Sequence, residues 1–67
     1  MPDLKVGDTF IIWVDDDESD EQEELERTVE EIVNSPDTLG HVEVLDEDGD
    51  SYMIAWSEHN NRWECVE

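Results

Sequence analysis

Basic side chains are almost missing from this chain. Its 67 residues include one lysine, Lys5, and two arginines, Arg27 and Arg62, against 22 Asp and Glu, a formal net charge of −19. Affinity for DNA or RNA comes largely from Lys and Arg neutralising phosphates, so direct nucleic-acid binding is not expected. Cysteine is the second shortage. A single Cys, Cys65, excludes an internal disulfide, and the fold must hold without a covalent staple. Three glycines are too few and too scattered for a phosphate-cradling loop. No apolar run exceeds five residues, against the ~20 that cross a bilayer, so no membrane span is expected. No basic segment leads into an apolar one as in a signal peptide, which makes a cytoplasmic location the default expectation.

What is present is concentrated. The length allows one domain, residues 1–67, which buries roughly 60% of the surface its unfolded chain exposes. Apolar residues cluster as FIIWV at 10–14, YMIAW at 52–56, and Trp63, Cys65 and Val66. Three tryptophans, a tyrosine and a phenylalanine can each bury about 150–250 Å², enough to argue for a folded domain despite the charge. Half of the acids lie between Asp15 and Glu31; the rest are spread over positions such as Asp3, Asp8, Glu43, Asp46 and Glu58. Such charges repel one another in dilute buffer, and salt near ~1 M screens them within about 3 Å. The composition resembles that of proteins from extreme halophiles, which implies solvent adaptation and loosely held hydrated monovalent cations. A specialised polyanion, such as a nucleic-acid mimic, competes with that reading. The spread of the acids favours solvent adaptation.

Thr9 to Val14 reads as a strand of β-branched and aromatic residues, with Phe10, Ile12 and Val14 on one face and Ile11 and Trp13 on the other. Asp15, Asp16, Asp17, Glu18, Asp20, Glu21, Glu23 and Glu24 then form a solvated acidic segment. Residues 25–34 are ambiguous. Leu25, Val29, Ile32 and Val33 repeat at helical spacing, with Ser19 as a possible N-cap and Pro36 as a stop. Yet Thr28, Val29, Ile32 and Val33 are β-branched and favour a strand. Further on, alternation is clean: Val42 and Val44 on one face, then Tyr52, Ile54 and Trp56, then Trp63 and Cys65. DEDGD at 46–50 and SEHNN at 57–61 are turns, with Gly49 expected at positive φ.

The order VGDTF, polar loop, TVEEIV, loop, HVEVLDEDGDSYMIAW, short turn and RWECV resembles an SH3-like small barrel. The resemblance implies an all-β, five-stranded barrel with a long acidic loop, Asp15 to Glu26, after strand 1. The peptide-binding members carry an aromatic repeat absent here, so their groove is not implied. The alternative is α+β, a β-α-β-β-β arrangement with a helix near 19–34.

Chemistry is sparse. His41, His59 and Cys65 share no zinc-ligand spacing. DEDGD lacks the twelve-residue loop and closing Glu of an EF-hand, and a hairpin turn accounts for it. No metal or other cofactor is expected. No nucleophile elbow or catalytic pair stands out, so a non-enzymatic protein is expected. Trp13, Leu45 and Met53 lie on strand faces opposite the predicted core. They are either a second core layer or an interaction patch for a protein partner or a homodimer.

Overall fold

The computed structural model describes residues 3–18, 21–34 and 40–66. Six strands follow one another: β1 (Thr9–Asp15), β2 (Gln22–Thr28), β3 (Glu31–Asn34), β4 (Val42–Leu45), β5 (Ser51–Ser57) and β6 (Arg62–Cys65). They form one mixed sheet in the order β2-β1-β6-β5-β4-β3. The β1–β6 pair is parallel and every other pair is antiparallel. The all-β expectation holds. The five-stranded barrel does not, because the described residues form six strands and their sheet is not closed.

The alternative helix near 19–34 is also corrected: no helix occurs among the described residues, and this region supplies β2 and β3. A helix there would set Glu23 against Glu26 and Glu26 against Glu30, like-charge pairs that destabilise it. As a strand, β2 instead sends Leu25 onto Ile12 and leaves most of its glutamates in water. Ser19, the proposed cap, and Pro36, the proposed stop, lie outside the described residues.

The two ends of the sheet, β2 and β3, are consecutive in the chain. The backbone changes partner between Val29 and Glu30. Val29 N–H donates to Asp8 O at 2.8 Å and Val29 O accepts from Gly7 N–H at 2.9 Å, whereas Glu30 N–H donates to Leu45 O at 2.8 Å. The sheet must therefore curl until the β1 and β4 regions meet the same short segment. Val29 is buried in the bend.

The concave side holds the core of Phe10, Ile12, Val29, Val42, Val44, Ile54 and Trp63, with Leu25, Ile32, Tyr52 and Trp56 packed against it. Phe10 and Tyr52 meet at a ring separation of 5.7 Å, and Trp56 and Trp63 meet edge-on at 5.6 Å. Cys65 also packs against this core as a half-buried thiol. The β4–β5 turn closes as expected, with Gly49 at φ +84° and its N–H donating to Asp46 O at 3.0 Å. Among the described residues, no helix is long and apolar enough to cross a membrane.

Candidate interaction face

Strand parity decides which side chains face away from the core. In β1, Phe10 and Ile12 are buried, so Ile11 and Trp13 point outward; in β5, Ile54 is buried and Met53 and Ala55 point outward. Trp13 is 37% exposed and Met53 39%.

The register brings these two strands' outward residues together through β6. Ile11 pairs with Glu64 in the parallel ladder, and Ile54 pairs with Cys65 in the antiparallel one. Continuing both registers sets Val66 between Trp13 and Met53, and Val66 N–H does donate to Met53 O at 2.8 Å. Val66 is thus the cross-strand neighbour of Met53, and the parallel register carried two residues on sets Trp13 on its other side, in one row. Leu45 sits on the same side, diagonal to Met53 through the Glu43–Met53 and Leu45–Ser51 pairs, and is half-buried. All three residues singled out from the sequence therefore share one face. Val66 was not singled out from the sequence, although the alternation that sets Trp63 and Cys65 on one face sets Val66 on the other.

Carboxylates rim the row. Glu24 is opposite Trp13, Glu26 opposite Ile11, and Glu43 opposite Met53. Arg62 ties two of the neighbouring acids together: its Nε donates to Glu64 Oε2 at 2.7 Å and its Nη2 to Glu24 Oε1 at 2.9 Å. The ion pairs reach from β6 to β2, past β1. The hydrogen bonds to Glu24 and Glu64 raise the Arg62 pKa above its ordinary value. The Arg62 hydrogen bond in turn holds Glu64 below the usual carboxylate range. Glu43 accepts from Asn34 Nδ2 at 2.9 Å and Ser51 Oγ at 3.2 Å.

The acidic segment is shorter as a loop than its composition implied. Asp15 ends β1, while Glu23 and Glu24 belong to β2. A strand starts at Gln22 because pairing with β1 carries on through Asp15 opposite Gln22. Asp16, Asp17, Glu18 and Glu21 are the exposed loop acids described, and Glu18 N–H donates to Asp16 Oδ1 at 3.0 Å. Asp20 lies outside the described residues.

The 46–50 turn gathers three carboxylates. Asp46, Asp48 and Asp50 each offer an oxygen, all within 4.8 Å of one another, the one such cluster among the described residues. Asp46 Oδ1 accepts the N–H groups of Asp48 and Asp50, both at 2.9 Å. Arg27 Nη1 lies 3.5 Å from both Glu47 Oε1 and Asp48 Oδ2. Burial raises the pKa of the neighbouring Tyr52 phenol, and the charges of Asp46 and Asp50 add to the effect.

An open groove of about 370 Å³ runs past Trp56 and Trp63, bordered by Lys5, Arg62, Asp3 and Asp8. Arg62 is already committed to Glu24 and Glu64, and the two aspartates offset Lys5, so the groove is no anion trap. No protein-family model matches this chain, and no curated protein or solved structure matches it either. Its function has to be read from its own geometry.

Proposed function

We propose that this protein is a non-enzymatic interaction module that binds a protein partner, or a second copy of itself, through the outer face of its sheet. The observation that carries this reading is the row of Trp13, Val66 and Met53, with Leu45 alongside. A tryptophan and a methionine are kept more than a third exposed in a chain with few large apolar side chains to spare. Both types are enriched in the buried centres of interfaces. Arg62 and the acids it holds form a polar rim of the kind that surrounds such centres. In this reading the rest of the acidic surface adapts the protein to a salt-rich cytoplasm. The three-strand C-terminal meander supports kinship with SH3-like barrels, as a form with an unclosed sheet. The direct test is capture of partners from native-salt lysate by the wild type and by Trp13→Ser. Equal capture by both would remove the outer face from the account.

A second reading has its own observation. Arg27 and Arg62 are both engaged in ion pairs, and among the described residues no ion pair reaches Asp16, Asp17, Glu18, Glu23 or Glu26 of the β1–β2 hairpin. A regulatory polyanion that occupies a basic surface would use that hairpin. Salt separates the two: a complex made by the apolar row persists in molar salt, and a charge-driven one dissolves.

A further inference from the structure

We propose that the 46–50 turn is a binding site for a divalent cation, calcium in preference to magnesium, held by Asp46, Asp48 and Asp50. Three acids in one turn would not identify a site. What points to a ligand is the state of Asp46, which is 1% exposed. One of its oxygens is used by the turn itself, through the N–H groups of Asp48 and Asp50. The other, Oδ2, is buried and has no hydrogen-bond partner. A carboxylate oxygen removed from water and left unpaired is unfavourable, and buried acids of this kind are normally met by a donor or a metal.

The two exposed aspartates complete the donor set. Oxygens bound at about 2.4 Å to one calcium lie at most about 4.8 Å apart. One oxygen of each of the three carboxylates satisfies that limit as it stands. Calcium accepts irregular oxygen cages and shared water, whereas magnesium demands near-octahedral geometry and dehydrates reluctantly. A one-sided turn with a buried first ligand and two exposed ones suits calcium. This goes beyond the hairpin role and the loose monovalent cations expected from composition.

One cation within the protein competes for the same turn. Arg27 Nε is also buried without a partner, and Nη1 makes only 3.5 Å contacts to Glu47 and Asp48. No ion pair joins Arg27 to Asp46 among those present in the described residues. Its contacts leave Asp46 Oδ2 unanswered.

The test uses the full chain in about 1 M potassium chloride, where the bulk acids are screened. Calcium is titrated calorimetrically, and terbium is followed by luminescence excited through Tyr52 and the tryptophans. The expected result is saturable one-site binding, with a Kd for calcium near 10⁻⁴–10⁻³ M, about the range of open calcium modules. Asp48→Asn should weaken it at least about tenfold by removing a charged ligand. Asp17→Asn, an equal charge change on the exposed β1–β2 loop, should leave it unchanged. Asp50→Asn serves in the same role if Asp48→Asn does not fold. Equal weakening by Asp17→Asn and Asp48→Asn would mean a diffuse ion atmosphere and would overturn the site. So would the absence of saturable binding in the wild type, which would leave Arg27 as the counter-ion of Asp46.

Discussion

The two faces of this sheet use similar side chains to opposite ends. On the concave face Phe10, Ile12, Val42, Val44, Ile54 and Trp63 are shut away from water. On the convex face Ile11, Trp13, Ala55, Met53 and Val66 follow the same strands and registers, yet Trp13 and Met53 stay more than a third exposed. The difference arises from curvature. The partner switch between Val29 and Glu30 draws the sheet ends towards one side, and the fully buried apolar side chains lie on that side. In the proposed function, the two exposed members of that face, Trp13 and Met53, supply the apolar centre of the recognition surface.

The largest expected effect belongs to the concave face. Ile54→Ala should cost about 2–5 kcal/mol, a large share of a small domain's stability, read by urea or thermal unfolding. A loss below about 0.5 kcal/mol, the range of indifferent surface changes, would mean the faces have been assigned the wrong way round. Salt should act next, and on the whole molecule. Between about 0.1 M and 1 M salt the Debye length falls from about 10 Å to 3 Å, and the melting temperature should rise as repulsion among the acids is screened. An unchanged melting temperature would remove the solvent-adaptation reading.

Much of this contrast was legible in the sequence, because strict alternation exposes parity. Val42 and Val44, Tyr52 and Ile54, and Trp63 and Cys65 announced the inward side of the last three strands, and Trp13 and Met53 were placed outward by the same rule. β2 was not legible. Its sequence QEELERT offers one apolar residue, and it is a strand because β1 pairs with it along its length. The parallel β1–β6 pairing and the bend at Val29 join distant segments, for which local spacing carries no information. The gathered acids were hidden differently. DEDGD was recognised as a turn, but burial of Asp46 follows from the turn's hydrogen bonds, which composition does not reveal.

Smaller predictions sharpen the account of the connections. Gly49→Ala meets no steric obstacle, since nothing lies within 4 Å of the added carbon. Its cost should come from the φ of +84° alone, about 1–2 kcal/mol, measured by unfolding. A neutral result would show that the turn relaxes. Glu64→Gln should cost only about 0.2–1 kcal/mol, because Glu64 is largely covered but its partner Arg62 stays about a third open to water. Since the folded state depresses the Glu64 pKa, its contribution is present above the ordinary carboxylate pKa and is lost as pH falls through the folded value. The Tyr52 phenol acts in the other direction. Its raised pKa gives a contribution present below the ordinary tyrosine value and lost as pH rises through the folded one. Melts across acidic and strongly alkaline pH check both signs.

The central claim is that Trp13 belongs to a recognition face rather than to the core. The most direct measurement is Trp13→Ser, followed together by unfolding and by sedimentation in high salt with and without captured partner. The account predicts a stability loss of about 1 kcal/mol or less, with self-association or partner capture clearly weakened. A loss of about 3–5 kcal/mol, as for a buried tryptophan, with association unchanged, would contradict it.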